Sequence, residues 1–267
     1  MKNHLIRPSV AVAVMASFVF AAMPSFGQSA SQATPRMPDG KPNFTGVWAG
    51  PGFSHRIGPN ETNPPRVTTF DAKKMAPFKA GGERLLDRSL SGNLFIDDPT
   101  ALCLPNGIPR QILSPYPQQW FQTADTMVIL YEYMHFFRVI PIGAPNRRHT
   151  RDVEPTWMGD AIGWWEGDTF VIDTIGLKEW MLDATHTEAG SRWHSDALHV
   201  VERIRWTGPR TASYEITIDD PKIWTRSWTE EFKMTLHPTW KLLEFVCEEN
   251  NRCEAGKCTE SEAQKLR

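Results

Sequence analysis

Several runs of this chain set ionisable side chains on the same strand face as large apolar ones, and chemistry would be done there. Leu198, Val200, Ile204 and Trp206 define one face of a strand-like run, and Glu202 lies on it. Between Thr126 and Pro141 one face holds Leu130, Glu132, Met134, Phe136 and Arg138, and the other holds Ile129, Tyr131, Tyr133, His135 and Phe137. Either choice points an ionisable residue inward. Glu244 shares a face with Trp240, Leu242 and Val246, and Arg226 is flanked by Trp224 and Trp228. A carboxylate buried alone is expensive, so it pairs with an arginine or takes up a proton. Glu132, Glu202, Glu244, Arg138 and Arg226 are therefore expected in one polar cluster. That cluster reads either as a buried ion-pair network or solvated outer face, or as a cavity. In the cavity, Glu132 or Glu202 moves a proton and Arg138 or Arg226 holds an anion, beside His135, Tyr133, Trp224 and Trp228.

A second group, His186, His194, Asp196 and His199, crowds into a loop entering a strand. Imidazole titrates near neutrality, and Asp196 could fix the tautomer of either neighbour, which suits acid–base transfer. Satisfied structural histidines are the alternative. No metal is expected, because neither H-x-H nor H-E-x-x-H occurs and residues 194 and 199 would face opposite ways on one strand. Ser195 lacks a G-x-S-x-G elbow, and no glycine-rich phosphate loop is present, so neither a serine hydrolase nor a nucleotide cofactor is expected. The 11 tryptophans are more than core filling requires. Those near turns, Trp157 among them, could line a barrel mouth and stack on an apolar or aromatic ligand.

These residues need a β framework. The run Ala161 to Ile175 breaks at Glu166-Gly167-Asp168, which predicts a hairpin, and strand-like runs follow at Leu198–Trp206, Ala212–Asp219, Trp224–Met234 and Trp240–Cys247. Thr207-Gly208-Pro209, Asp220-Pro221 and His237-Pro238 separate them as turns. Successive strands at this spacing predict an antiparallel meander closing into a barrel or sandwich. Five prolines between 97 and 118 forbid a central strand or long helix there, and Asp71 to Arg88 supports at most a short helix capped by Asp71.

The expected organisation is a signal peptide over 1–27, a flexible leader over 28–43, a single β-barrel domain over 44–251 and a polar tail over 252–267. Lys2 and Arg7 precede an apolar run, Val10 to Ala22, too short to span a bilayer, and Ser25-Phe26-Gly27 supplies small residues for cleavage. The expected location is periplasmic or extracellular. All four cysteines fall in the exported part, with Cys103–Cys247 and Cys253–Cys258 the favoured disulfides. With 29 Lys plus Arg against 31 Asp plus Glu, the chain has no nucleic-acid footprint.

Phe44-Thr45-Gly46-Val47-Trp48 resembles the G-x-W first-strand element of lipocalins and other calycin-like barrels, in which the Trp plugs one barrel end. Longer phrases resemble an uncharacterised family of exported β-rich proteins from environmental bacteria. They include Cys103-Leu104-Pro105, Pro155-Thr156-Trp157-Met158-Gly159, Trp165-Glu166-Gly167-Asp168-Thr169 and His194-Ser195-Asp196-Ala197-Leu198-His199. The resemblance implies a mainly β, calycin/lipocalin-like barrel with long N-terminal loops, and no activity. The leading expectation is a cofactor-independent lyase, isomerase or hydrolase acting on a small hydrophobic or aromatic compound. A lipocalin-like carrier of such a compound and a carbohydrate-binding module are the alternatives.

Overall fold

Burial alternates residue by residue along Pro117–Gln122, Thr126–Tyr131, His199–Gly208, Thr211–Asp219 and most of Trp228–Leu236, and this period of two decides which of their side chains fill the centre. The computed structural model describes residues 34–51, 70–114, 116–145, 147–150, 152–186, 190–250, 253–254 and 257–258. The expected signal peptide lies outside the described residues.

The strands in chain order are β1 (Gly46–Ala49), β2 (Asp87–Arg88), β3 (Pro117–Gln122), β4 (Thr126–Tyr131) and β5 (Phe137–Pro141). They continue with β6 (Asp160–Glu166), β7 (Thr169–Ile175), β8 (Trp180–His186), β9 (Gly190–His194) and β10 (His199–Gly208). The last are β11 (Thr211–Asp219), β12 (Trp228–Leu236), β13 (Cys253–Glu254) and β14 (Lys257–Cys258). Helices are one turn or little more: α1 (Gly82–Leu86), α2 (Leu94–Asp97) and α3 (Cys247–Asn250). None of the described helices is long and apolar enough to cross a membrane.

Nine strands form one antiparallel sheet in the order β5-β4-β3-β1-β12-β11-β10-β7-β6, which follows the chain around a nearly closed barrel. Nine is odd, so an up-and-down ring must contain one parallel pair. That pair is the seam: just beyond β5, Ile142 bridges Gly163 of β6 in parallel, and Gly143 N–H donates to the Gly163 carbonyl at 2.8 Å. Gly163 permits the approach, because a Cβ there would stand 2.8 Å from Phe170 and 3.2 Å from Ile140.

One end of the barrel is filled by rings. Phe44 lies 5.5 Å from Trp206 and 6.1 Å from Trp120, and Trp48, fully buried, lies 4.9 Å from Trp206 and donates its indole N–H to the Phe44 carbonyl. At the other end Phe70 packs on the inner face of β12, 5.1 Å from Trp228. Asp183 and Arg192, paired across the small β2-β9-β8 sheet, hold both the Phe70 amide and its carbonyl.

Three sequence expectations need correction. Thr126 to Pro141 is not one strand but a hairpin, β4 and β5, joined by a 3-10 turn over Tyr133–His135. Met134 and His135 take positive φ without glycine, so no turn residue marks the break. Trp240 to Val246 forms no strand; it crosses the hairpin as an extended strap. The β6–β7 turn has two residues rather than three, with Glu166 opposite Thr169. The Cys103–Cys247 disulfide is present and ties that strap down. Cys253 pairs with Cys258 across a small ladder, but their side chains lie outside the described residues.

Candidate functional site

The barrel interior is polar at several levels. The inward positions of β3 carry Gln118 and Gln122, β5 contributes Arg138, β7 Thr174, β10 Glu202 and β12 Glu230. Arg138 and Glu202, both expected at the site, meet there. Arg138 Nη1 donates to Glu202 Oε2 at 3.0 Å, Nη2 donates to Thr174 Oγ1 at 2.8 Å, and Nη2 also stands 2.8 Å from Glu202 Oε1. The Tyr214 hydroxyl, from the inner face of β11, donates to Glu202 Oε2. Glu202 is 0% exposed, Arg138 3% and Tyr131 2%.

Two polar atoms in this cluster are buried and make no well-formed hydrogen bond, Arg138 Nε and the Tyr131 hydroxyl, whereas Glu202 Oε1 meets Arg138 Nη2 at 2.8 Å. The Tyr131 hydroxyl lies beside the guanidinium, whose positive charge acts on the phenol against its burial. Each such group costs about 1–3 kcal/mol unless something satisfies it. Burial pushes the Tyr131 phenol up to about 12, and burial together with the Glu202 charge raises Tyr214 well above the ordinary phenol range. Burial opposes the Arg138 charge, but Glu202 and Tyr131 outweigh it and raise its pKa. The cluster is thus one cation, one anion and two neutral phenols.

A second arrangement sits on the outer face of the same sheet. Asp160 of β6, Asp173 of β7 and His199 of β10 face away from the interior, and His149, from the loop after β5, bridges the first two. His149 Nδ1 lies 2.7 Å from Asp160 Oδ2, its Nε2 lies 3.1 Å from Asp173 Oδ1, and His199 Nε2 lies 2.8 Å from the same oxygen. The hydrogen bond from His199 raises the imidazole's pKa, and Asp173 is held low against its own burial. A carboxylate holding one nitrogen of a part-exposed imidazole can orient it for proton transfer. Among the described residues no three His, Cys, Asp or Glu side chains group to hold a metal ion.

The remaining expected residues go elsewhere. Glu132 is outside the cluster because β4 ends at Tyr131; its Oε2 accepts from Leu243 N–H at 2.8 Å. His135 Nε2 accepts from Phe245 N–H at 2.8 Å, and Tyr133 stacks on Tyr116 and packs at a tilt against Phe245, so all three hold the strap. Glu244 on the strap and Arg226 in the turn before β12 are exposed rather than interior. Asp196 orients neither histidine; it is exposed and pairs with Lys222. His194 is buried and donates through Nδ1 to the Ser195 carbonyl at 2.9 Å, and burial pulls its pKa down to about 4. The His186 side chain lies outside the described residues. Trp224 and Trp228 are core rings 5.4 Å apart, and Trp157 packs against Trp180 with Lys178 over its face.

Sequence reasoning missed Tyr214, Thr174, Asp173, Asp160 and His149. The first two were accessible: Tyr214 alternates with Ala212, Ile216 and Ile218, and Thr174 with Phe170 and Ile172. His149 carries no local signal, since an irregular loop brings it to the sheet. No family model, no curated protein and no solved structure matches this chain.

Proposed function

We propose that this protein is an exported, small-molecule-binding barrel, in which the Arg138–Glu202 cluster meets the polar end of a small hydrophobic or aromatic ligand. The observation that carries the reading is a pair of buried polar atoms without a well-formed hydrogen bond, Arg138 Nε and the Tyr131 hydroxyl, beside the Arg138–Glu202 ion pair inside the barrel. Native interiors rarely leave such groups unsatisfied, and polar atoms converging among apolar walls are the usual makings of a ligand site. The Cys103–Cys247 disulfide supports an oxidising compartment. The test is titration with small aromatic fragments, followed by calorimetry and by NMR of isoleucine methyls. Saturable one-to-one binding that shifts the inward-facing Ile129, Ile140 and Ile216 is expected. Shifts confined to outer residues such as Ile162 would overturn it.

A second reading, an enzyme working by acid–base transfer, is favoured by the Asp173–His199 pair. Glu202 is a poor base in that scheme, because Arg138 and Tyr214 both engage its carboxylate. Turnover lost in His199→Gln and kept in Glu202→Gln would favour this reading over a carrier.

A further inference from the structure

We infer that the pocket between the strap and the β4–β5 turn is a binding site for a small aromatic amine in its protonated form. It lies apart from the Arg138–Glu202 cluster and does not rest on the reading above.

The pocket measures about 310 Å³ and forms where three separate stretches of chain meet. Cys103 closes the 3-10 helix Pro99–Leu102, Met134 and His135 belong to the β4–β5 turn, and Phe245 and Cys247 come from the strap and α3. Small-molecule sites run from about 300 to 1,000 Å³, so this one takes a single ring with a short substituent. Among the described residues, the non-glycine residues with positive φ are Cys103 at 60°, Met134 at 63° and His135 at 53°, and all of them line this pocket. A Cβ is crowded in that conformation, so such residues persist only where their surroundings fix them, and they gather at ligand clamps and active sites. Two ties fix them here. The Cys103–Cys247 disulfide joins the first stretch to the third, and the Phe245 N–H donates to His135 Nε2 at 2.8 Å, joining the third to the second. A pocket held in this way is formed before its ligand arrives, which lowers the cost of binding.

The lining decides the ligand. Its walls are the Met134 thioether, the disulfide, the Phe136 and Phe245 rings and Val246. Thioether sulfur packs favourably against aromatic rings, so an aromatic body suits these walls. The charge comes from one residue. His135 is neutral in this arrangement, because a ring nitrogen that accepts carries no proton, and Glu248 is then the only formal charge on the described lining. A carboxylate beside phenylalanine faces repels an anion and attracts an ammonium, to which the rings add their own attraction. Glu248 is exposed whereas Met134, Phe136 and Phe245 are half-buried, so the amine sits at the rim and the ring inside.

The experiment compares benzylamine, benzyl alcohol and benzoate, which share a ring and differ in charge, by NMR titration of the full protein at pH 7. Protonated benzylamine is expected to bind about fivefold tighter than the alcohol and at least tenfold tighter than benzoate, with the first gap narrowing in high salt. It should shift the Met134 methyl and Phe245 amide resonances and leave the methyls of Ile129, Ile140 and Ile216 in place. Glu248→Gln should bring benzylamine to within about twofold of the alcohol, whereas Glu249→Gln, also exposed but off the lining, should change nothing. Met134→Gly keeps a turn that glycine adopts freely and removes a wall, so it should weaken amine and alcohol alike. Benzyl alcohol or benzoate binding as tightly as benzylamine, or a preference that survives Glu248→Gln, would overturn the choice of ligand. Shifts confined to the interior isoleucines would overturn the site itself and support the barrel reading instead. Binding by none of the three would overturn the site and leave the barrel reading to its own titration.

Discussion

Replacing Arg138 by methionine tests the interior cluster most directly. The substitution keeps a long unbranched side chain and removes the charge. It strands the Glu202 carboxylate, 0% exposed, with Tyr214 as its remaining bonded partner. Breaking a buried pair from one side typically costs about 3–5 kcal/mol, because an uncompensated charge stays in the interior. For a body of this size each kcal/mol moves the unfolding midpoint by roughly 2–4 °C, so a fall of about 6–20 °C is expected. Glu202→Leu alone should cost a similar amount, since Arg138 is then left with Thr174. The double variant removes both charges and should sit within about 1 kcal/mol of the parent, or above it, because an apolar pair avoids the desolvation penalty. Urea unfolding followed by far-UV circular dichroism gives all four corners of the cycle, with an unchanged m-value confirming the same two end states. Single variants costing less than about 1 kcal/mol would mean that water reaches the pair. Costs that simply add would mean that the two residues do not interact.

The other expectations concern separate parts of the molecule. His194 is held neutral by burial with a pKa near 4, whereas the unfolded chain takes up that proton near 6.5. Stability is therefore lost as pH falls through that window, by about 3 kcal/mol from this residue, and the loss should be absent in His194→Asn when urea midpoints at pH 7 and 4 are compared. His199 is raised by Asp173, so its stabilising effect is full below the ordinary imidazole value and fades as pH rises through the folded one. In Asp173→Asn the His199 ring should titrate lower by NMR, and an unchanged titration would dismiss the pairing. Glu132→Ala removes the acceptor for Leu243 N–H, so that amide should exchange with solvent at least tenfold faster, while amides of β10 and β11 keep their protection. Gly163→Ala pushes a methyl against Phe170 and Ile140 at the seam and should cost about 1–3 kcal/mol by thermal unfolding; a smaller cost would mean that the seam is loose.

The parts of this fold that could be read from sequence are those where the period of two is unbroken. β10, β11 and β12 carry burial that alternates over nine or ten residues, and the inward position of Glu202 follows from that pattern alone. Arg138 was placed inside for a reason that does not hold. The run from Thr126 to Pro141 reads as one alternation, but it turns back through Met134 and His135 in a left-handed conformation that non-glycine residues seldom adopt. Both halves are apolar, so composition hides the turn, and Glu132, two residues from Met134, lands on the strap rather than in the barrel. The strap itself misleads by the same route. Trp240 to Val246 has strand-like spacing, yet it is held by isolated backbone bonds to Glu132 and His135 and by a disulfide, partners far away in sequence.

The same alternation limits what the two polar groups can do together. His199 and Glu202 are three residues apart on β10, an odd step, so their side chains leave opposite faces of the sheet. Glu202 joins Arg138 inside, and His199 joins Asp173 outside. A ligand seated in the barrel against Arg138 is therefore separated from His199 by the backbone of the sheet, and no side-chain rotation brings that imidazole to it. Binding in the interior and proton transfer at Asp173–His199 are then two functions of one strand rather than two halves of one mechanism. If turnover is found, its dependence on residues sorts the cases. Loss with His199→Gln places the reacting group on the outer face, and any effect of the interior cluster on that reaction must pass through the stability or position of β7 and β10. Loss with Tyr131→Phe and not with His199→Gln places it inside, where a proton would have to move through Tyr131, Tyr214 and Glu202, a route the raised phenol pKa values make slow at neutral pH.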